Sequence, residues 1–225
     1  MRSLYIVLLC LPFLSHGSVL KFKPKQVVNV IDQLAGKASS LGKWHPPSFC
    51  NNIDCPEYKV MEKHKDYELR EYVSTRWVST NIAGVDYTEA STQDFHRLFS
   101  YISGNNAKKE KIAMTAPVLI QVIPGQGPAC ESNFTMSFFV SPKESNPPKP
   151  SDPKVWIKKE EKTRVYVRYF PGYVRKIEDW IAQASKLAAS IGNPDLYVQD
   201  YYFTAGYDSP FRLFFRHNEI WFIAK

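Results

Sequence analysis

Apolar and polar positions change their rhythm at about residue 57. From there on, short extended runs alternate with two stretches of helical period. Residues 58–63 and 67–73 are predicted strands meeting across the polar turn His64-Lys65-Asp66, and residues 76–82 are a third. A helix is predicted over residues 86–103, where Phe95, Leu98, Phe99 and Ile102 recur at i, i+3, i+4 and i+7. Asp86 with Glu89 resembles a capping box, and Gly104-Asn105 stops the helix. Strands at residues 118–123 and 134–140 complete a first half. The second half repeats the order. Strands at 154–159 and 163–170 flank the charged turn Glu160-Glu161-Lys162. A helix follows with Val174, Ile177, Ile181, Ala184, Ala188 and Ile191 on one face, closed by Gly192. Strands at 196–204 and 219–224 finish it. Residues 142–153, rich in proline, cross between the halves. The pattern implies an α+β fold, with two similar strand-strand-helix-strand-strand units sharing one sheet or barrel and two helices packed on it.

The first 56 residues follow a different rule. Arg2 precedes an apolar run over residues 4–14, too short to span a bilayer, and Ser15-His16-Gly17 offers small residues to a signal peptidase. Residues 1–17 are therefore predicted to be a secretory signal peptide, and the mature chain extracellular. No later apolar run is long enough to span a membrane. Residues 18–56 read as a basic arm and linker. Val27, Ile31, Leu34, Ala38 and Leu41 fall near one helical face among Lys21, Lys23, Lys25, Lys37 and Lys43, and Trp44-His45-Pro46-Pro47 breaks any helix. Such an arm is loosely held, docks on its own domain, or touches a membrane or protein partner. Residues 57–225 form the folded domain, expected to be a monomer.

Composition supports a sheet. Thirteen Tyr, fourteen Phe and five Trp among 225 residues bury large areas and favour strands. The formal charge is +7, and losing Arg2 with the signal leaves 28 basic against 22 acidic residues. The basic side chains are scattered rather than gathered into a stripe with stacking aromatics, which argues against nucleic acid. Cys50 and Cys55 are expected to pair in an oxidising compartment, although Cys130, the odd one left, can instead join either. Asn133-Phe134-Thr135 is a glycosylation sequon, usable once the chain is secreted. His45, His64, His96 and His217 fall on separate elements without metal-ligand spacing, and no nucleophile elbow, phosphate loop or dinucleotide fingerprint is present. Neither an enzyme nor a metal site is expected.

Several motifs resemble those of the SOUL/haem-binding protein family: YELREY at 67–72, WVST at 77–80, YISGNN at 101–106, KIAMTAPV at 111–118, YFTAGY at 202–207 and RHNEIW at 216–221. The resemblance runs in order from about residue 57 to the end, and KIAMTAPV is its most specific element. It implies a distorted antiparallel β-barrel of two pseudo-symmetric halves with two flanking helices, and non-catalytic binding of haem or another porphyrin in a shallow apolar groove beside the first helix. The matching apolar positions are Phe95 and Phe99, which at their spacing can equally pack on the sheet. The family's helix lysine falls on Ser100, where Arg97 can substitute, and a basic loop residue falls on Arg212. Some members place an axial histidine where this chain has Glu71. Glutamate is a poor haem-iron ligand, which leaves His96 or Tyr72, so porphyrin-type binding without a strong axial histidine is expected. The alternative is a protein- or membrane-interaction module on the same barrel with no haem ligand.

Overall fold

In the computed structural model, which describes residues 44–84, 86–125, 132–174 and 176–225, the predicted elements form close to where the periodicity puts them. They are β1 (Tyr58–Lys63), β2 (Glu68–Tyr72), β3 (Thr75–Gly84), α1 (Tyr87–Ile102), β4 (Val118–Ile123), β5 (Ser132–Val140), β6 (Val155–Glu160), β7 (Thr163–Phe170), α2 (Ile177–Ile191), β8 (Tyr202–Gly206) and β9 (Asn218–Ile223). They belong to a unit spanning His45–Lys225. The signal peptide, most of the arm, and Cys130 lie outside the described residues.

The strands make one antiparallel sheet in the order β1-β2-β7-β9-β8-β4-β5-β3-β6. Read outward from the central β8/β4 pair, the halves mirror each other as β8-β9-β7-β2 and β4-β5-β3-β6. Each half thus lends a strand to the other: β2 pairs with β7, and β6 pairs with β3. This exchange dictates the curvature. Tyr72 and Thr75 are three residues apart and so at most about 11 Å apart along the chain. Their strands are six places apart in the sheet, about 29 Å if it were flat. The connection between β6 and β7 makes the same jump. The sheet must therefore curl into a half-barrel, with one face inside.

Alternation assigns the faces. Val78, Ile120, Met136, Phe138, Ile220 and Phe222 point outward and bury against Leu98 and Tyr101 of α1 and Trp180 and Leu187 of α2. Their neighbours, including Trp77, Leu119, Ser137, Val165 and Trp221, point inward. The helices sit outside, α1 against β3 and β5 and α2 against β7 and β9.

Three expectations need correction. In α1 only Leu98 and Ile102 of the predicted stripe are fully buried. Phe95 is half-buried and Phe99 faces solvent, because Tyr101 takes the inner position and donates its hydroxyl to the Pro148 carbonyl at 2.8 Å. Of the second helical face Ala184 is buried and Val174, Ile177, Ala188 and Ile191 pack at the edge of the core as expected, but Ile181 is exposed, and the centre of the buried face is Trp180 and Leu187. The large indole meets Phe170 edge-on with ring centres 5.3 Å apart, so the helix turns its biggest ring inward. The strand predicted from 196 begins only at Tyr202. Pro194 and the Asn193 side chain, which accepts from the Asp195 amide, form a short 3-10 turn over Pro194–Leu196 instead. The N-terminal end of α1 is as expected, with the Asp86 carboxylate accepting from the Glu89 amide at 2.8 Å.

Residues 111–118 form a strap. The Ile112 amide donates to the Ile102 carbonyl, closing α1, and Thr115 donates its hydroxyl to the Phe139 carbonyl at 2.6 Å. The Ala116 amide then reaches the carbonyl of Asp54, in the disulfide loop. Cys50 and Cys55 are bonded and both buried, so the loop between them belongs to the packed unit rather than to a free linker.

Candidate functional site

On the outer face, α1 presents Phe95 and Phe99 one turn apart, their rings nearly parallel with centres 5.8 Å apart. Phe95 also meets Phe138 edge-on at 5.5 Å, so one ring anchors the pair to the sheet while the other stays 47% exposed. Phe138 lies opposite Val118, and Val118 lies opposite Gly206, the last residue of β8. Two strand spacings, about 10 Å, thus separate Phe138 from the point where the β8–β9 loop leaves the sheet.

That loop is unusual in holding apolar side chains in water. Phe211, Leu213, Phe214 and Phe215 are 92%, 69%, 74% and 91% exposed. Its shape is fixed from within: Arg216 donates to the carbonyls of Ser209 and Arg212 at 2.7 Å each, and the Asp208 carboxylate accepts from the His217 amide at 2.6 Å. Phe215 has φ of 53°, the left-handed region that a bulky residue adopts only at a cost. A cluster of exposed apolar side chains on a self-braced loop is a candidate contact surface.

The two arginines singled out from the sequence have different settings. Arg97, two residues from Phe95 and thus about 200° around the helix, donates to Thr80 Oγ1 at 2.8 Å and to Asp94 at 3.2 Å. Burial pushes the Asp94 carboxyl up to about 6 against the opposing pull of Arg97. Arg212 is on the exposed loop, bonded to Asp208 at 3.0 Å and to the Asn51 side chain. The structure therefore brings Phe95 and Phe99 together and ties Arg97 to β3. His96 is exposed on α1, next to Phe95. Tyr72, by contrast, is buried on the inner face, where Arg70 donates to it at 3.4 Å. Glu71 is held by Lys162 at 2.7 Å and Arg164 at 3.1 Å, and their hydrogen bonds lower its carboxyl. Asn133, the second residue of β5, lies on the inner face, where Asn81 donates to its side chain and to Thr135, the other polar member of the sequon. Among the described residues no three His, Cys, Asp or Glu side chains gather as a metal site.

The inner face holds what the sequence reading missed. Glu219, wholly buried, accepts from Arg70 at 2.9 Å and His217 at 2.7 Å on one oxygen, and from Tyr207 at 2.9 Å and Trp221 at 2.7 Å on the other. Four donors saturate a carboxylate's lone pairs. A carboxylate can only accept, so His217 Nε2 carries the proton in this bond. Burial would raise the Glu219 carboxyl, but Arg70 and His217 overcome that and hold it down at about 2. The disulfide loop caps this end of the half-barrel. Phe49 stacks on His217 with ring centres 3.8 Å apart, Tyr169 covers the other side at 4.3 Å, and Asn51 donates to the Tyr207 carbonyl. A charged residue inside the run NEIWFI is the signal that could have identified Glu219 as buried and paired.

The chain is thus a curled sheet with two outer helices, the first carrying an aromatic pair of which Phe95 is half-buried and Phe99 exposed. The chain belongs to the SOUL heme-binding protein family, whose model matches residues 53–223. It is 36% identical over 180 residues to human Heme-binding protein 2, covering 77% of this chain and 87% of that one. It is 33% identical over 183 residues to Xenopus laevis Heme-binding protein 1, covering 79% and 96%. Among solved structures, the EcmrR C-terminal domain aligns with a TM-score of 0.51 at 8% identity, covering 75% of this chain and 98% of that one, a likeness of fold alone.

Proposed function

We propose that this chain is a secreted, non-catalytic tetrapyrrole-binding protein that takes haem or another porphyrin on its outer face, between α1 and the β8–β9 loop. The carrying observation is the exposure of Phe99 on α1 and of Phe211, Leu213, Phe214 and Phe215 on the β8–β9 loop, supported by membership of a family named for heme binding. A porphyrin is a large apolar plate with two carboxylates. Exposed rings can cover the plate, and Arg212 at the loop surface is the cation for a carboxylate. Arg97 supports α1 through Thr80 and Asp94. With Tyr72 on the other face and Glu71 already paired, His96 is the remaining protein candidate for iron, and its exposed setting argues for binding without strong axial ligation.

Hemin titration of the mature protein, followed in the Soret band, tests this. Arg212→Glu is expected to lower affinity about tenfold or more, as loss of a charge-assisted contact worth ~1.5–3 kcal/mol implies. Phe99→Ser is expected to lower it several-fold. Equal affinity in wild type and both variants would remove the site, and a sharp low-spin spectrum abolished by His96→Ala would overturn the claim about axial ligation.

The buried Cys50–Cys55 bridge supports an oxidising compartment, and with it a secretory signal peptide over residues 1–17. Expression in mammalian cells is expected to release protein into the medium beginning near residue 18. Retention in the cytosol with residues 1–17 intact would refute that, and a mobility shift on deglycosylation would report use of Asn133. The second reading, a membrane- or protein-binding module, draws on the same exposed loop and on the arm. Liposome co-sedimentation lost on deleting residues 18–48, with no Soret shift for hemin, would favour it.

A further inference from the structure

The inner face carries a cavity that the porphyrin reading does not use. It lies where the exchanged strands cross, between the ends of β2 and β6, and has a volume of about 390 Å³. That is toward the small end of the ~300–1,000 Å³ usual for ligand pockets. Tyr72, Trp77, Trp156, Tyr201, Phe203 and Trp221 line it, with Leu119 and Ile223 between them. Such a concentration of rings on the inside of a sheet is more than the core requires, since the main packed core lies on the other face.

Several of the polar groups of this wall are already engaged. The Ser79 and Ser137 hydroxyls share a bond of 2.8 Å, and Thr135 accepts from Asn81. Trp77 donates to Thr75 at 2.9 Å and Trp221 to Glu219 at 2.7 Å. At the mouth Lys158 is matched by Glu160 at 2.6 Å and Glu161 by Lys159 at 2.8 Å, while Ser74 ties the two crossings together through the Glu160 carbonyl. An entering molecule therefore meets rings and aliphatic groups and no unmatched charge. The floor is also fixed in advance: Tyr72 and Trp221 lie 4.7 Å apart, and both are bonded into the Arg70–Glu219 cluster. A rigid, desolvated aromatic wall binds without the cost of ordering itself.

We propose that this inner cavity is a second binding site, separate from the outer face, that takes an uncharged aromatic small molecule. The charges at its mouth are paired and rings dominate its lining, so recognition is by ring contact and exclusion of water rather than by ion pairing.

N-phenyl-1-naphthylamine, uncharged and emissive in apolar surroundings, is a suitable probe. It is expected to bind one site per chain and to quench tryptophan emission. Gln121→Trp, which adds a fourth indole to the cavity from β4, is expected to weaken binding at least tenfold. Trp156→Ala removes a rim side chain 39% exposed, a change the fold tolerates, and is expected to weaken binding several-fold. The double variant Phe214→Ser/Phe215→Ser is expected to bind like wild type. Wild-type dye affinity in Trp156→Ala and in Gln121→Trp with an unchanged melting temperature would overturn the proposal, as would loss of binding in the loop variant. Dye retained under saturating hemin supports two separate sites, and one-for-one displacement overturns them. If hemin binds nowhere, the dye titration still reads the cavity, so the two proposals fail independently.

Discussion

Replacing Arg70 with methionine is expected to destabilise the domain by about 3–5 kcal/mol, the usual cost of leaving one member of a buried ion pair alone. For a unit of this size that corresponds to a fall in melting temperature of roughly 6–20 °C. Arg70 touches Glu219, Glu68 and Tyr72, and its guanidinium lies 4.4 Å from the centre of the Tyr58 ring, so it joins β1, β2 and β9. Without it the Glu219 carboxylate stays buried with its charge uncompensated by a permanent cation. The double variant Arg70→Met/Glu219→Leu is expected to recover much of the loss, because desolvation of both charges disappears together. Thermal melts of the singles and the double decide the matter. A cost below 1 kcal/mol for Arg70→Met would show that solvent reaches the pair.

The same cluster sets an acid limb. Glu219 has a folded-state carboxyl near 2, below its ordinary value, so its stabilisation is fully present above about pH 4.5 and is lost as pH falls toward 2. Asp54 and Glu71, also lowered, act in the same sense. Asp94, raised to about 6, acts oppositely: the folded state holds its proton more tightly, so it costs stability as pH rises from about 4 to 6. Stability is therefore expected to change little or rise slightly on acidification to about pH 4.5 and then to fall steeply. The fall should be shallower in Glu219→Gln, as followed by far-UV circular dichroism.

Removing the disulfide has the next largest expected effect. Closing a loop of six residues is worth about 2 kcal/mol by the chain-entropy relation. In Cys50→Ser/Cys55→Ser the loss falls on the segment that places Phe49 on His217 and Asn51 on the β8–β9 loop. Unfolding free energies from urea titration are expected to drop by that amount, and reductant is expected to affect wild type only. If they do not move, the cap is held by the Phe49 and Asp54 contacts alone. Arg212 is bonded to Asn51, so a loosened cap is also expected to weaken hemin binding. That outcome would couple the disulfide to the outer site.

Some of this was legible in the residues. Alternation places most strands within a residue or two, and the 3.6 period places α1 with its Asp86 cap. Both signals arise from local backbone geometry and one-sided burial. Which side of a helix is buried was less legible. The stripe Ile177, Ile181, Ala184 competes with Trp180, Ala184, Leu187, and only the position of Phe170 across the gap favours the second. Phe95 and Phe99 showed the same ambiguity in the sequence, and in the structure one packs while the other faces water.

The sequence by itself determined the elements, their twofold order, the pairing-competent cysteines and the family motifs, because each depends on neighbours within a turn or a strand. Only the tertiary structure decided the exchange of β2 and β6 between the halves. Strand partners are chosen by sheet closure, and two short connections then force the sheet to curl. That curl moved Tyr72 and Trp221 inward to a shared cavity and buried Arg70 against Glu219, 149 residues away. It also brought the disulfide loop onto the strand ends. Contacts at that separation leave no local trace in the sequence, since the energy that selects them comes from burial after the chain has closed.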